Sequence, residues 1–455
     1  MDRRLIDALS DIVGSDAVFT APDQCLVYEC DMLVYYKGAP DVVVLPASTA
    51  EVAAVVRACL DAGVPIVPRG AGTGLIGGAM AARGGVMIGV NRMDRILEVD
   101  LANRYAVVEP GVVNLALTRA VEGRGYFFAP DPSSQMVSSI GGNAATNAGG
   151  PHALKYGSTV HHVLGLEVVT GRGETISFGG PVQERPGYDL TGVMVGSEGT
   201  LGVITKVVVR LTRAGEAVKT ALATFASIEI ASAAVSAIIA DGIIPAALEA
   251  LDEPVIRAVE AGIKAGYPVD AKAVLLIELD GPAAEVEVQA ETVARICREQ
   301  GALTMRVARD DAERALLWKG RKEAAGAFGR ITHNYVLQDA VVPRSRLPEV
   351  MAEVQAIARR HGLLVANVFH AGDGNLHPMI AYDERVPGQF ESALQASEAM
   401  LDACIAAGGT VTGEHGVGLD KAEKLVLLFT PDDLAAMAAV RRVFDPKELM
   451  NPGKV

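Results

Sequence analysis

The sequence is poor in cysteine and in aromatic residues, and it has no long uncharged apolar run. Its five cysteines are odd in number and too widely spaced for a CxxC pattern, which excludes a zinc knuckle or an iron–sulfur cluster built by this chain alone. We expect them to be buried thiols in a reducing, cytoplasmic compartment. They are Cys25, Cys30, Cys59, Cys297 and Cys404.

Charge and apolar patterning exclude further classes of protein. The formal net charge of −14 disfavours nucleic acid or an anionic membrane as the main partner, because either would be repelled at long range. The most apolar stretch, residues 221–248, is interrupted by Glu229, Asp241 and Pro245, so it is shorter than the ~18 uncharged residues of a membrane helix. Charges within residues 1–13 leave no apolar core for a secretory signal. We therefore expect no membrane helix and no export.

The first half of the chain alternates short β-rich runs with glycine-dense loops. Residues 41–45 and 64–67 read as strands and residues 49–61 as a capped helix, which is an α/β opening. After Thr212 the helical periods are longer and alternate with strands, which predicts a second, α+β domain. Residues 431–444 read as a helix that precedes a turn-rich tail.

One glycine loop has the form of an anion-binding nest. Residues 68–74 follow a predicted strand, and three alternating glycines let successive backbone N–H groups converge on an oxygen anion such as a diphosphate. A Rossmann fingerprint would continue from its glycines into an amphipathic helix. Residues 75–85 hold four further glycines and no helical period, so nicotinamide binding is the weaker interpretation. A plain turn is the alternative.

Three further segments repeat this composition. Residues 130–134 lead into residues 141–150, and we interpret both as loops that let a flat ring system and its hydroxyl-bearing chain lie close to the backbone. Residues 196–204 form a third glycine segment that ends in a strand. Four such segments in one domain favour a bound cofactor over a series of unrelated turns.

These four segments resemble the FAD-binding domain of the vanillyl-alcohol oxidase superfamily. From about residue 37 to the C-terminus, the chain is similar to the FAD-linked subunit of bacterial glycolate oxidase and to the D-lactate and D-2-hydroxyglutarate dehydrogenases. The resemblance implies an α+β fold. It would comprise an N-terminal helical segment (1–36), a PCMH-type FAD-binding domain of two α/β subdomains (37–213), and a ferredoxin-like α+β substrate domain with a C-terminal helical segment (214–455).

The resemblance also implies where FAD is held. The first loop would surround the diphosphate, residues 131–134 and 141–147 would follow the flavin and ribityl chain, and residues 198–204 would lie toward the adenosine end. Binding should be non-covalent, because the first loop has no histidine for attachment. The expected contacts are Pro68, Arg69, Gly70, Ala71, Gly72, Thr73, Gly74, Gly77, Gly78, Pro130, Asp131, Pro132, Ser133, Ser134, Gly141, Gly142, Asn143, Thr146, Asn147, Gly150, Glu198, Gly199, Gly202, Val203, Ile204 and Asn451.

Two glycine-flanked motifs in the second half carry histidines. One places His370 and His377 on either side of a turn, and the other adds Glu414 and His415. Two histidines and a glutamate commonly hold a divalent metal with an open position, here zinc or manganese. Such a metal would polarise a 2-hydroxy acid so that His415 can take the hydroxyl proton. Unrelated histidines in turns are the alternative. The resembled family matches these assignments and implies that Asn375 faces the substrate.

A basic cluster in this acidic chain includes Arg321, in a predicted helix. A guanidinium can hold a carboxylate through two parallel hydrogen bonds, and the resembled family has a substrate-contacting arginine here. Lys319 and Lys322 read equally well as a solvated helix face. Relatives specific for D-2-hydroxyglutarate carry a lysine before a downstream aspartate, where this chain has Gln338 before Asp339. That difference favours a smaller substrate such as glycolate or D-lactate.

Together these features predict FAD-dependent oxidation of a small 2-hydroxy acid to the 2-oxo acid, with hydride passing to flavin N5. Electrons would leave to a separate acceptor, because the chain has no cysteine cluster for a relay. The resemblance implies partner subunits of a glycolate oxidase-like complex, one FAD-related and one iron–sulfur, which would bring the chain to the inner membrane. The alternatives are a D-2-hydroxyglutarate or other D-2-hydroxyacid dehydrogenase, a flavin-free metallohydrolase and a non-catalytic flavin subunit.

Overall fold

The computed structural model of the protein describes residues 1–182 and 186–455. These residues form two compact units. The first unit comprises residues 1–149, 157–213 and 414–455, and the second comprises residues 150–156 and 214–413. No boundary falls after residue 36, and the C-terminal part of the chain returns to the first unit instead of completing the second.

Helices and strands are labelled in chain order. The strands of the first unit are β1 (Val18–Phe19), β2 (Val42–Val44), β3 (Ile66–Arg69), β4 (Val86–Gly89), β5 (Ile96–Asp100), β6 (Tyr105–Val108), β7 (Tyr126–Phe127), β8 (Val163–Thr170), β9 (Thr175–Gly179), β10 (Gly202–Arg210) and β11 (Thr212–Arg213). Those of the second unit are β12 (Ala217–Phe225), β13 (Ala247–Asp252), β14 (Ala273–Gly281), β15 (Thr304–Val307), β16 (Asn334–Leu337), β17 (Ala340–Val341), β18 (Val365–His370), β19 (Asn375–Leu376) and β20 (Pro378–Tyr382).

The helices of the first unit are α1 (Arg3–Val13), α2 (Pro22–Leu26), α3 (Thr49–Ala62), α4 (Asn114–Val121), α5 (Ile140–Thr146), α7 (Leu190–Met194) and α15 (Pro431–Phe444). Those of the second are α6 (Ala153–Tyr156), α8 (Ile228–Ala240), α9 (Glu253–Gly262), α10 (Ala283–Glu299), α11 (Asp311–Lys322), α12 (Ala324–Phe328), α13 (Leu347–His361) and α14 (Gln389–Ala406). Among the described residues, no helix is both long enough and apolar enough to cross a membrane.

The first unit opens with a sheet in the order β1-β2-β4-β3. Strands β2, β4 and β3 run parallel, and helix α3 supplies the crossover that a parallel pair requires. The Ser48 side chain caps α3 by accepting from the Glu51 backbone N–H at 3.2 Å. Helix α1 buries Leu5, Leu9 and Val13 in the same core as the strands. The N-terminal helix is therefore part of this subdomain.

A second sheet of the first unit has the order β5-β6-β10-β8-β9 and is antiparallel throughout. Strand β8 is buried along almost its whole length, as expected for an interior strand that is covered on both faces. Helices α4 and α5 contribute Leu117, Ile140 and Ala144 to its core. The two sheets are the two α/β subdomains that the resemblance implied.

One segment departs from the predicted loop conformation. Residues 140–146 form the helix α5, although Gly141 and Gly142 led us to expect a loop. The Ser139 side chain accepts from the Gly142 backbone N–H, and Asn147 ends the helix in a left-handed conformation at φ 51°. A Cβ on Gly141 would lie 2.5 Å from Cβ of Pro110. The glycine is therefore needed for close packing and not for a flexible turn.

The second unit begins as a ferredoxin-like sheet. Strands β12, β13, β14 and β15 appear in the order β15-β12-β14-β13, with each neighbouring pair antiparallel. Helices α8 and α10 each connect two parallel strands that have a third strand between them. Strand β18 adds to the free edge of β13 and ends at His370, whose register partner there is Glu249. This extension positions the histidine motif against the ferredoxin-like core.

Candidate functional site

The first glycine loop folds around a half-buried arginine. Arg69, the last residue of β3, donates from Nη1 to the Ala79 carbonyl at 3.1 Å and lies over the Tyr28 ring. Burial lowers the pKa of Arg69. Gly72 has φ 72°, and a Cβ there would overlap the Arg69 guanidinium. The loop thus places a desolvated cation beside a turn of backbone N–H groups, as a diphosphate site requires.

An aspartate that sequence reasoning missed lies beside this loop. Asp31 is buried, and burial raises its pKa while the Arg69 charge acts in the opposite direction. Its Oδ1 accepts from the Leu33 backbone N–H at 2.9 Å. The neighbouring Met32 N–H donates to the Gly74 carbonyl at 2.8 Å. The segment before residue 37 therefore forms one wall of the loop.

The predicted cofactor glycines fall into two groups. Gly199 and Gly202 are explained by their own surroundings, because a Cβ would lie 3.0 Å from Cγ of Pro68 and 2.5 Å from the Val169 carbonyl oxygen, respectively. At Gly74 and Gly78 the nearest atoms to such a Cβ are 3.4 and 3.5 Å away, which is ordinary contact. These two positions have room for a Cβ, so the surrounding protein does not itself require glycine there. Gly150 lies in the second unit.

The polar side chains of the middle segments have protein partners. Asn114 donates from Nδ2 to the Pro130 carbonyl at 2.9 Å and to Oδ1 of Asn143 at 3.0 Å. Thr146 donates its hydroxyl to the Gly142 carbonyl, and Asn147 Oδ1 accepts from the Val160 N–H at 2.9 Å. These bonds fix the backbone of residues 130–147. Asn114 is a further residue of this network, and no local motif marks it.

Asn451 joins three parts of the first unit. Its Nδ2 donates to the Gly78 carbonyl at 2.9 Å and to the Glu198 carbonyl at 2.6 Å, and its backbone N–H donates to Ile66. Its Oδ1 accepts from Nζ of Lys454, which also donates to the Met80 carbonyl. Burial lowers the pKa of Lys454 to about 8. Asn451 therefore links the chain at residues 66, 78 and 198 by hydrogen bonds to three backbone carbonyls.

Glu198 holds the loop that follows the second histidine motif. Its carboxylate accepts the backbone N–H groups of Val417 at 2.7 Å and Gly418 at 2.8 Å. Glu198 is itself left-handed at φ 52°, an uncommon conformation for a side-chain-bearing residue. Burial raises its pKa to about 7. Its side chain is thus engaged with residues 417–418, and its place toward the adenosine end of FAD stays a prediction.

In the second unit, the two histidines of the first motif lie together. His370 ends β18 and pairs with Asn375 at the start of β19, so a tight hairpin separates it from His377. Gly374 has φ 82°, and a Cβ there would overlap the Val342 carbonyl oxygen. The two imidazole rings are buried, with centroids 5.1 Å apart and planes at 89°. The two rings therefore lie side by side, and their binding of one metal ion stays a prediction.

Arg321 and His370 share a carboxylate that the sequence did not reveal. Glu249 Oε2 accepts from Arg321 Nε at 2.6 Å, and both carboxylate oxygens lie 2.9 Å from His370 Nδ1. All three side chains are buried. Burial raises the pKa of Glu249, but the Arg321 and His370 charges and hydrogen bonds outweigh it and the pKa lies below its ordinary value. Part of the Arg321 guanidinium is therefore already hydrogen-bonded to Glu249.

Asp339 is the corresponding carboxylate near His377. Its Oδ1 lies 3.7 Å from His377 Nδ1, and its Oδ2 accepts from the Thr412 hydroxyl at 2.5 Å and the Gly413 N–H at 2.9 Å. The side chain of Asn375 packs closely on Gly413. A Cβ on Gly413 would overlap the Asn375 side-chain amide. Asp339 therefore fixes the chain immediately before Glu414.

Glu414 and His415 begin the last segment of the first unit. A Cβ on Gly149 would lie 2.6 Å from Oε2 of Glu414, so the glutamate side chain lies directly against this glycine backbone. His415 follows Glu414 and precedes Gly416, whose φ is 97°. The bonds from residues 417 and 418 to Glu198 fix the chain on the far side of this motif.

Two family models match the chain. One is described as FAD binding domain and matches residues 40–179, and the other is described as FAD linked oxidases, C-terminal domain, and matches residues 215–455. Solved structures share the fold. The chain of p-cresol methylhydroxylase superposes with a TM-score of 0.83 at 18% identity, covering 99% of this chain and 96% of that chain. An alkyldihydroxyacetonephosphate synthase gives 0.80 at 20% identity, covering 100% and 86%.

Curated proteins are similar over most of their length. Glycolate oxidase subunit GlcD of Escherichia coli (strain K12) is 45% identical over 447 residues, covering 98% of this chain and 90% of that protein. The subunit of the same name from Bacillus subtilis (strain 168) is 43% identical, covering 94% and 92%. A D-lactate dehydrogenase of Anaerostipes hadrus is 33% identical, covering 93% and 91%. With an FAD binding domain followed by the matching C-terminal domain, the chain belongs to the family of FAD linked oxidases.

Proposed function

We propose that the protein oxidises a small 2-hydroxy acid, glycolate or D-lactate, to the corresponding 2-oxo acid with non-covalently bound FAD. The observation that carries this proposal is the buried group of Arg321, His370 and His377 in the second unit of a chain that has an FAD-binding domain. Relatives named glycolate oxidase subunit and D-lactate dehydrogenase support the substrate class.

FAD would be held by the nest of residues 69–74, by the room beside Gly74 and Gly78, and by the backbone of residues 130–147. When bound, it supplies a two-electron acceptor for the substrate. The half-buried cation of Arg69 suits the diphosphate, and the small residues of the middle segments suit a flat ring. The chain around Thr73 has no histidine for covalent attachment.

His370, His377 and Glu414 would hold a divalent metal, zinc or manganese. Its contribution there would be Lewis acidity at the oxygens of a 2-hydroxy acid. Both histidines have Nδ1 toward a carboxylate, Glu249 for His370 and Asp339 for His377. Metal-binding histidines usually make such contacts with the nitrogen that is not bound to the metal. This donor set fits the proposed ion.

Arg321 would bind the substrate carboxylate, and His415 would take the hydroxyl proton. Because Glu249 occupies Nε of Arg321, a carboxylate would meet the outer part of the guanidinium, including Nη1. Oxidation removes two electrons and two protons from the acid. The chain's task is to orient the acid and to accept one of those protons.

A small substrate is favoured over a dicarboxylate by Gln338. Its Nε2 donates to the Ser397 hydroxyl at 2.9 Å, and the side chain is buried. A lysine at this position would offer a second cation for a distal carboxylate, and this chain has none there. D-2-hydroxyglutarate is therefore the second candidate substrate.

Electrons would pass to a separate acceptor. Relatives named as subunits suggest a glycolate oxidase-like complex, with FAD-related and iron–sulfur partners, that lies at the inner membrane through those partners. The chain itself offers free cysteines but no CxxC cluster.

The direct test is a His415→Ala variant studied without oxygen. We expect it to keep FAD and to lose flavin reduction by glycolate and by D-lactate, while a His361→Ala control on α13 reduces flavin as the unaltered protein does. Flavin reduction at a near-normal rate in His415→Ala would refute the assignment of the base. Elemental analysis of active, unchelated protein that finds no zinc, manganese or iron would refute the metal site.

A further inference from the structure

Glu249 is a buried charged residue next to the proposed substrate and metal residues. It lies in the apolar strand β13 and is fully inaccessible to solvent. Its carboxylate contacts Arg321 on α11 and His370 at the end of β18 at the same time. Neither the family descriptions nor the names of the relatives assign it a role.

We propose that Glu249 is a positioning residue that sets the tautomer of His370 and the direction of Arg321. This proposal rests on the function proposed above. An ionised carboxylate can only accept hydrogen bonds, so His370 Nδ1, 2.9 Å from both of its oxygens, must carry the proton. The neutral ring then presents Nε2, without a proton, as the ligand atom. Without Glu249, either tautomer would be accessible.

The geometry around Arg321 agrees with this assignment. Arg321 Nη2 lies 3.3 Å from His370 Nδ1, but both atoms carry hydrogen when Nδ1 is protonated. That contact is therefore not a hydrogen bond, and the Glu249 carboxylate, which accepts from both donors, is what keeps them side by side. Nε and Nη2 of Arg321 both lie 2.6 Å from Oε2 of Glu249. These two contacts fix the orientation of the guanidinium plane. The edge that carries Nη1 is then left to face a ligand.

The backbone explains why the carboxylate reaches both groups. Glu249 and His370 are direct partners in the antiparallel pair of β13 and β18, so their side chains project from the same face. Arg321 comes from the last turn of α11, and Tyr267 donates to the Leu317 carbonyl in the preceding turn at 2.6 Å. Two neighbouring strands and one anchored helix thus hold the three side chains.

The first test measures metal affinity by competition with a chromogenic chelator, using zinc and then manganese. We expect Glu249→Gln to weaken binding by about 10–100-fold, the usual effect of losing such an outer carboxylate. Glu249→Asp should recover part of the loss. The matched control is Glu278→Gln on adjacent β14, a buried carboxylate that accepts from Trp318 Nε1 and the Thr220 hydroxyl. It should leave metal affinity within threefold of the unaltered protein.

The proposal is overturned if the metal affinity of Glu249→Gln also stays within threefold of the unaltered protein. It is overturned too if Glu278→Gln lowers metal affinity as much as Glu249→Gln does. FAD content and melting temperature of both variants show whether each still folds.

A second test uses metal-free protein, so it does not depend on the proposed metal. Nitrogen-15 NMR of labelled histidine, with His370 assigned by comparison with His370→Ala, reports which ring nitrogen carries the proton. We expect Nδ1–H in the unaltered protein and a loss of that preference in Glu249→Gln. A ring with the proton on Nε2, or one unchanged by Glu249→Gln, contradicts the role of Glu249. If the unaltered protein shows the Nδ1–H tautomer but binds no metal, the proposed metal site fails and the positioning of His370 stands.

Discussion

Replacing Glu198 by glutamine is expected to change how stability depends on pH. Glu198 is buried, and its two oxygens accept the backbone N–H groups of Val417 and Gly418. Glutamine has nearly the same shape but presents an NH2 group to one of those two donors. Glutamine therefore resembles the protonated carboxyl group, which likewise offers only one acceptor oxygen to these two donors.

The pH dependence follows from the carboxyl group itself. Burial raises the pKa of Glu198 from 4.5 to about 7. Because the folded pKa lies above the unfolded one, the stability linked to this group is fully present below about pH 4.5 and is lost as pH rises through 7. At about 1.36 kcal/mol for each unit, the loss is about 3 kcal/mol. Glutamine does not titrate, so the variant lacks this dependence.

The assay is urea unfolding of both proteins at several values between pH 5 and pH 8, followed by circular dichroism. Between pH 5 and pH 8, the stability of the unaltered protein relative to that of Glu198→Gln should fall by about 2.5 kcal/mol, which is most of that loss. Glu122→Gln, on an exposed residue, is the control and should follow the unaltered protein. A difference that stays constant within about 0.5 kcal/mol, or that changes in the other direction, would refute the argument.

Two further substitutions test the packing and the buried ion pair. Arg321→Met leaves the Glu249 carboxylate without its 2.6 Å partner and should cost roughly 3–5 kcal/mol of stability in urea unfolding. Adding Glu249→Gln should recover much of that loss. If the double variant loses as much stability as the two single variants lose together, the pairing of Arg321 with Glu249 is contradicted. Gly141→Ala should cost roughly 1–3 kcal/mol and lower FAD content, since its Cβ would lie 2.5 Å from Cβ of Pro110. Gly123→Ala, with no atom within 4 Å of the added Cβ, is its control, and equal FAD content in the two variants would disprove the packing explanation.

The parts of the fold that were predictable have local signals. Helix α15 begins and ends as predicted, because Thr430 and Asp433 form a capping box, Pro431 occupies its first turn, and Asp445-Pro446 stops it. The histidine motif likewise carries its own hairpin in Gly372 and Gly374. In these places a few consecutive residues contain all the information.

The parts that were missed depend on distant residues. Glu249 is 72 positions from Arg321 and 121 from His370, and its only local signal is one charge inside the apolar run of β13. The glycine at position 141 predicts a loop from local sequence alone, because the residue that requires it, Pro110, lies elsewhere in the chain. The return of residues 414–455 to the first unit is also invisible locally, since nothing near Glu414 marks a change of unit.

The central claim is that this chain oxidises a 2-hydroxy acid with a bound FAD. The most direct measurement is anaerobic titration of the purified, flavin-containing protein with glycolate, D-lactate, L-lactate, D-malate and D-2-hydroxyglutarate, followed through the visible absorbance of oxidised flavin. The account predicts full bleaching by glycolate or D-lactate and the matching 2-oxo acid in equal amount. Protein that retains no flavin, or flavin that none of these acids reduces, would contradict it.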